Sequence, residues 1–245
     1  MKVAVVTPYY QEPAEVIRRA HDSVRRQTHP CTHILVADGF ARAEVAAWDA
    51  QHVPLPVSHR DYGNTPRAIG GVSALNQGFD AVAYLDADNW FADDHVESLV
   101  ALCRETGCAV AFSERQIVLS TGELVHREDR DVVERRHVDT NCFFVTKAAA
   151  RLLPQWAMME PAIAPACDRV MLHLVRRWGV SHAWTGRRTA FYESRWAPHF
   201  RQLGKEPPPD QHVIDWPAVW AAYSAEESVA RFGFELPVAK DGGPA

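Results

Sequence analysis

The sequence predicts an α/β fold built on a mostly parallel sheet with helices on both faces. Short apolar segments of strand length alternate with segments of helical periodicity through the first half of the chain. That alternation is typical of parallel strands joined by right-handed helical crossovers. The chain has 245 residues, of which 47% are hydrophobic and 23% are charged, so it is long enough for one sizeable core.

The first half is predicted to contain five strands and four helices. Residues 2–7 are a Val-rich apolar segment typical of a buried strand. Pro13 and Glu15 then begin a helix whose apolar side chains recur on one face. The elements predicted after it are strand 32–37, helix 41–52, strand 55–59, helix 66–79, strand 81–85, helix 93–106 and strand 108–113.

The second half changes character. The turn sequence at 120–123 lies between two short apolar segments and predicts a hairpin over 116–127. The segment 127–137 mixes both signs of charge and is expected to be a solvated loop or strand edge. The later predicted elements are strand 138–145, helix 168–178, strand 180–184 and, after the stiff spacer 207–209, a terminal helix with the stripe Trp216, Val219, Trp220 and Tyr223. We expect this stripe to dock on the core, with contact to a partner or a membrane surface as the alternative.

Composition and charge exclude several classes of protein. The chain carries 26 Lys and Arg against 31 Asp and Glu, a net charge of −5, whereas a general nucleic-acid binder needs a basic surface. No window approaches 18 uninterrupted apolar residues, so no transmembrane helix is expected. The five cysteines form no CxxC pair, which favours reduced thiols in a cytoplasmic protein. A peripheral position at the inner face of the membrane stays open.

Polar and aromatic residues follow the predicted strands. Because the carboxyl ends of parallel strands meet at the same edge of a sheet, we expect these residues to surround one ligand site. They are Thr7-Pro8-Tyr9-Tyr10, Asp38-Gly39, His59-Arg60-Asp61 and Asp86-Ala87-Asp88-Asn89.

Asp86 and Asp88 indicate a divalent cation. Two carboxylates one residue apart repel each other unless a positive charge lies beside them. Mg²⁺ and Mn²⁺ suit oxygen ligands, and Mg²⁺ usually takes one or two protein carboxylates together with water and substrate phosphates. Aspartates that only cap a turn or the next helix are the alternative. The position after the fourth predicted strand favours the metal site.

Three segments resemble family 2 glycosyltransferases of the GT-A fold. VAVVTPYYQEPAEVIRRAHDSVRRQT followed by HILVADG resembles their opening, AVAYLDADNWF their DxD segment, and HVDTNCFFVTKAAARLL the strand and helix on their acceptor side. The resemblance covers about residues 1–200 and implies a GT-A, Rossmann-like sheet with a smaller antiparallel portion on the acceptor side. It implies a glycosyltransferase domain at 1–204, an extension at 205–237 with an aromatic helix packed on the core, and a flexible tail at 238–245.

The resemblance further implies a binding site for a nucleotide-diphosphate sugar, with UDP as the favoured nucleotide. Thr7, Pro8 and Tyr9 would line the base and ribose. Asp38 would accept a hydrogen bond from the base, whereas a simple Asp-Gly turn is the alternative at this position.

On the phosphate side, the resemblance implies that Arg67 approaches the nucleotide or its phosphates, with an ordinary exposed cation as the alternative. Asp86, Ala87 and Asp88 would meet the donor, and Asp88 would bind the cation directly with Asp86 beside it. His199 is a third candidate contact for the metal or the phosphates.

Inverting members of this family carry an acidic base at the start of a helix beyond the acceptor strand. Asp168 takes that place, although Cys167 stands where Glu is common. A carboxylate is suited to accept the proton of the acceptor hydroxyl. Asp168 as a helix cap and Glu160 as the base are the alternatives, and Trp90 and Asn141 are expected on the acceptor side.

The resulting hypothesis is metal-dependent transfer of a sugar, of hexosyltransferase type, to a hydroxyl of a saccharide, a lipid-linked or another acceptor. Inversion is favoured and retention stays open. A sugar nucleotidyltransferase is disfavoured because the loop TPYYQEP has no Gly, Lys or Arg to hold a triphosphate. A non-catalytic nucleotide-sugar binding protein is the other alternative, and Asp88 and Asp168 argue against it.

Overall fold

A computed structural model describes residues 1–125, 135–222 and 230–233 of the chain. In these residues eight strands form one mixed sheet with helices packed around it, which confirms the predicted fold class. The strands are β1 Val3–Tyr9, β2 Cys31–Asp38, β3 Gln51–Leu55, β4 Ala81–Tyr84, β5 Trp90–Phe91, β6 Val110–Leu119, β7 Phe143–Thr146 and β8 His182–Ser194. The α-helices are α1 Ala14–Arg25, α2 Asn64–Asn76, α3 His95–Thr106, α4 Cys167–Arg177, α5 Ala197–Gln202 and α6 Trp216–Ala221. Short 3-10 segments are Val45–Ala47, Thr140–Cys142, Lys147–Met158 and Pro161–Ala166.

The sheet has a parallel part and a mixed part. The strand order is β3-β2-β1-β4-β7-β6-β8-β5, and the first four strands run parallel. Strand β7 is antiparallel to both β4 and β6, while β8 is parallel to β6. The segments that follow β1, β2 and β4 therefore emerge at one edge, as the sequence pattern predicts.

Two elements predicted between 41 and 59 are wrong. The helix at 41–52 is only the 3-10 turn Val45–Ala47, because Trp48 takes up an extended backbone and ends it. The strand predicted at 55–59 lies earlier, at Gln51–Leu55, and pairs with β2. As the last strand of this side of the sheet, β3 tolerates Pro54, which cannot donate a ladder hydrogen bond.

The second half also differs from the prediction. Strand β6 runs without interruption from Val110 to Leu119, with irregular register near Glu114, where the sequence suggested two separate strands. The strand predicted at 138–145 begins only at Phe143, because Asp139 accepts the backbone N–H of Asn141 and starts a 3-10 turn. The strand predicted at 180–184 continues to Ser194, since it pairs along almost all of β6.

The predicted hairpin is present as far as the described residues reach, with Leu124 bridged to Val118. Residues 126–127 of that hairpin, most of the charged segment 127–137, Tyr223 and the tail 238–245 lie outside the described residues. In the terminal helix α6, Val219 is buried, and Trp216 and Trp220 stack with ring centroids 5.4 Å apart and pack against the core. The division of the chain at 204 stays a prediction. No helix of the described residues is long and apolar enough to cross a membrane.

Helix α2 lies very close to the sheet. A Cβ added at Gly70 would be 2.5 Å from Val6 Cγ1 and 3.0 Å from Val36 Cγ2, and both valines are fully buried. The absence of a side chain at Gly70 is therefore what lets the helix approach β1 and β2. This approach brings Arg67, one turn earlier, under the end of β4.

We expect Gly70→Ala to lower the free energy of unfolding by about 1 kcal/mol, and by about 2 kcal/mol at most. Overpacking costs about 1–3 kcal/mol, whereas the helix propensity gained over glycine is about 1 kcal/mol. Urea unfolding followed by circular dichroism measures the difference. Val72→Ala on the exposed side of the same helix is the matched control, and equal midpoints for the two variants would contradict the close-packing argument.

Candidate active site

A cavity of about 640 Å³ lies where the ends of β1, β2 and β4 meet. One side is formed by residues that follow these strands, and the other by the start of α4 and the segments before and after α5. Of the sequence-predicted site residues, the cavity lining includes Pro8, Tyr9, Asp38, Arg67, Asp86, Ala87, Asp88, Asp168 and His199. The structure therefore brings most of the predicted site together.

Three predicted site residues are not among those that line the cavity. Thr7 is fully buried, and its hydroxyl lies 2.8 Å from His33 Nε2 in the core. Asn141 is buried behind the DxD segment. Trp90 lies on the outer side, where its ring stacks on Phe191 with centroids 5.4 Å apart.

Tyr9 lines the cavity at the end of β1. Its hydroxyl lies 2.7 Å from His52 Nε2 and accepts the backbone N–H of Arg42 at 3.1 Å. Burial raises the pKa of Tyr9, so the phenol stays neutral. These contacts fix the ring at the end of β1.

Asp38 holds the loop that follows β3. Its carboxylate accepts the Ser58 hydroxyl at 3.1 Å and the backbone N–H of His59 at 3.0 Å, and it lies 2.7 Å from His59 Nδ1. Nearby, Arg60 and Tyr62 have positive φ angles of 53° and 56°. Such conformations cost free energy outside glycine and cluster at ligand sites. The loop is thus held in an unusual shape over one wall of the cavity.

Asp86 is held from two sides. The buried Arg67 donates to Asp86 Oδ1, and Arg67 is also tied to the backbone carbonyl of Tyr62 at 2.7 Å. The backbone N–H of Asp86 donates to Asn141 Oδ1 at 2.6 Å, and Asn141 Nδ2 donates to Asp86 Oδ2 at 3.3 Å. In this structure Arg67 and Asn141 therefore contact Asp86 and orient its carboxylate, the first of the DxD segment.

Asp88 differs from Asp86 in its charge environment. Among the described residues it forms no ion pair, and burial together with the charges of Asp86 and Glu12 raises its pKa to about 7. A carboxylate in such surroundings gains most from a cation that replaces the lost solvation. The oxygen donors Asp86 and Asp88 fit a hard divalent cation that takes its remaining ligands from water and phosphate.

The described residues alone do not complete a metal site. In the described ranges, no group of three or more His, Cys, Asp or Glu side chains is arranged to hold an ion. His199 lines the same cavity, and its Nδ1 lies 2.6 Å from the Ser194 hydroxyl. A cation here would need ligands from the donor.

Asp168 lies at the first turn of α4, on the opposite wall. Its Oδ2 lies 2.6 Å from His137 Nε2, and its Oδ1 accepts the backbone N–H of Arg169 at 2.6 Å. Burial alone would raise the pKa of Asp168, but the electrostatic interaction and hydrogen bond with His137, together with the charges of Arg169 and Arg115, outweigh burial and lower the pKa. The carboxylate is therefore ionised at neutral pH.

Cys167, beside it, cannot replace the missing Glu. Burial raises the pKa of its thiol to about 12, so the group is neutral. Glu160, the competing base, forms an ion pair with Arg231 at 2.5 Å and is not among the residues that line the cavity. Asp168 is thus the acidic group of this segment that faces the cavity.

Sequence reasoning missed His137, Arg115 and Asp139. Arg115 pairs with Asp139 at 2.7 Å, and Asp139 accepts Asn141 Nδ2 at 2.6 Å, so the network reaches back to the DxD segment. His137 stood at the end of a mixed-charge segment, and its partner is 31 residues away. No local spacing in the sequence signals that contact.

Residues 4–173 match the family model described as Glycosyl transferase family 2. The chain is similar to crystal structures of S. aureus TarS 1–349: the complex with UDP has 13% identity and a TM-score of 0.60 over 96% of this chain and 72% of that one. The complex with UDP-GlcNAc has 12% identity and a TM-score of 0.65 over 97% and 68%. No curated protein matches the chain by sequence. Because the family model spans more than half of the chain, the protein belongs to glycosyl transferase family 2 and is a glycosyltransferase.

Proposed function

We propose that the protein transfers a sugar from a nucleotide-diphosphate sugar, with a UDP-sugar favoured, to an acceptor hydroxyl with inversion. The main support for the proposal is that two different carboxylates line the same cavity. Asp88 has a pKa raised by burial and neighbouring negative charge, and Asp168 is ionised. The UDP and UDP-GlcNAc complexes of the TarS structures support the choice of donor.

Asp88, with Asp86 beside it, would hold Mn²⁺ or Mg²⁺, and His199 is the third candidate contact. When bound, the cation neutralises the diphosphate as it leaves. Arg67 keeps Asp86 in place. Because the cavity side of the sheet is rich in carboxylates, donor affinity should depend on the cation.

Pro8, Tyr9 and Asp38 would surround the base and ribose, Ala87 would lie against the donor, and Thr7 supports this wall from behind through its buried hydroxyl. Each carboxylate oxygen of Asp38 already has two contacts, from the Ser58 hydroxyl, the His59 ring and the His59 backbone N–H, which reaches both oxygens. A hydrogen bond from the base would therefore share or replace one of these contacts.

Asp168 would accept the proton of the acceptor hydroxyl as its oxygen attacks the anomeric carbon. His137 orients the carboxylate and keeps it ionised. The acceptor would enter from the side of α5 and α6, where Trp196 and Trp216 line the cavity. Asn141 and Trp90 lie behind this side of the cavity and do not line it. A cytoplasmic location is the proposal that fits the five reduced cysteines.

Asp88→Asn should abolish metal-dependent turnover of a panel of UDP-sugars. We expect a fall of at least about 10²-fold at saturating Mn²⁺, because a bound cation contributes several kcal/mol of charge stabilisation. Release of UDP with and without Mn²⁺ measures it. Asp49→Asn, at an exposed surface carboxylate, is the control; near-normal turnover in Asp88→Asn would reject the metal role.

Asp168→Asn should retain donor binding and lose transfer by about 10²-fold or more, since general-base catalysis contributes that much. Calorimetry with UDP and product formation separate the two effects. Glu160→Gln is the matched variant and should transfer at nearly the normal rate. If Asp168→Asn keeps its transfer rate, the base lies elsewhere.

His137→Gln should move the acidic limb of the pH–rate profile to higher pH. In the native protein the lowered pKa of Asp168 keeps the base ionised, and activity is lost only as the pH falls through that value. Without the histidine, burial dominates and raises the pKa of the carboxyl. An unchanged acidic limb in kcat against pH would show that His137 does not tune the base.

A further inference from the structure

We propose that Arg19 of α1 is a positioning residue that holds the turn carrying Asp88 in the shape required by the donor and its cation. This inference rests on the proposed function, because it assigns a support to the same site. It concerns a residue on the outer side of the turn, where the sequence showed only one of several arginines on a helix surface.

Arg19 connects three parts of the chain. Its Nη2 donates to the backbone carbonyl of Asp88 at 2.5 Å, and its Nη1 donates to Glu193 Oε2 at 2.5 Å on β8. The guanidinium also lies over the ring of Trp90, 4.4 Å from its centroid. Helix α1, the DxD turn and the end of β8 therefore share one charged, planar group.

The other contacts of the turn involve its first and last residues, Asp86 and Asn89. The turn is closed by the backbone N–H of Asn89 donating to the carbonyl of Asp86 at 3.1 Å. Asn89 Oδ1 accepts the backbone N–H of Glu193 at 2.9 Å, which again ties the turn to β8. Since β4 ends at Tyr84 and β5 begins at Trp90, Asp88 has no place in the sheet ladder. Side chains must therefore position its backbone.

Arg19 is the first of three polar side chains that lie along α1 and just beyond its end. Ser23 Oγ accepts the backbone N–H of Phe91 at 3.1 Å, and Gln27 Nε2 donates to the carbonyl of Ala92 at 2.7 Å. Positions 19 and 23 are four apart and so lie on the same face of α1, and Gln27 lies just beyond the end of the helix. The three side chains contact Asp88, Phe91 and Ala92 in turn. Arg19 is the member nearest the site.

The residue type fits this task. Arginine presents several N–H donors in a planar fork and stacks on aromatic rings, whereas lysine is a point charge on a flexible stem. Arg19 binds the carbonyl of Asp88 and not its carboxylate, so the turn is held without neutralising the group proposed to meet the cation. The contact therefore fixes the backbone of Asp88, and the carboxylate stays available to the proposed cation.

Isothermal titration of UDP with and without Mn²⁺ tests the proposal on full-length Arg19→Ala and Arg19→Lys. We expect the Kd for UDP in Mn²⁺ to rise about tenfold in both variants, because charge-assisted hydrogen bonds with a defined geometry are lost. Arg25→Ala, on the exposed surface of the same helix, is the matched control and should bind like the native protein. Thermal unfolding of Arg19→Lys should stay close to native, which separates positioning from loss of fold.

Kinetics add a second readout. The KM for the UDP-sugar should rise in Arg19→Lys while kcat at saturating donor and Mn²⁺ stays within about twofold, since Arg19 touches no reacting group. Native values for both KM and the Kd for UDP in Arg19→Lys and Arg19→Ala would overturn the proposal. If the native protein binds UDP equally well with and without Mn²⁺, the metal part of the proposed function is rejected. The role of Arg19 is then decided by comparing the Kd for UDP of the native protein and the Arg19 variants. A native protein that does not bind UDP would overturn both.

Discussion

The site depends on how the protein accommodates four carboxylates around one cavity. A buried carboxylate is unfavourable unless hydrogen bonds or positive charge compensate it. Asp38 is compensated by donors of the loop after β3, Asp86 by the buried Arg67, and Asp168 by a histidine 31 residues upstream. Asp88 forms no ion pair among the described residues, and burial with the charges of Asp86 and Glu12 outweighs the charge of Arg195 and raises its pKa to about 7. The roles proposed for Asp88, with a cation, and for Asp168, with a proton, follow from this difference in compensation.

Each compensating group is brought there by a different packing arrangement. Arg67 reaches Asp86 because α2 approaches β1 closely at Gly70. Asn141 reaches the same carboxylate because β7 is inserted antiparallel beside β4, so that the 3-10 turn before β7 lies behind the DxD segment. Arg19 approaches from α1 on the outer side. The parallel part of the sheet supplies Asp38, Asp86 and Asp88, helix α4 supplies Asp168, and the surrounding side chains set the charge and orientation of each carboxylate.

Much of the cavity lining could be predicted from the sequence. Strand-length apolar segments followed by polar residues indicate which groups meet at the sheet edge, because strand direction alone sends them there. Prediction was poorest where local pattern and tertiary environment disagree. The segment 41–52 has helical periodicity but lies beside an edge strand, and β8 continues past Trp184 only because β6 offers a partner along its length. Thr7 was expected at the cavity and instead lies in the core against His33.

The sequence by itself determined the α/β class, the glycosyltransferase family and the set of carboxylates at the sheet edge. These follow from short-range patterns: alternation of elements, the DxD spacing and the order of motifs. Only the tertiary structure decided that His137 contacts Asp168, that Glu160 turns away to Arg231, and that Arg19 supports the Asp88 turn. The physical reason is that each of these contacts joins residues far apart in the chain, and their protonation and orientation depend on burial and neighbouring charge that no local spacing encodes.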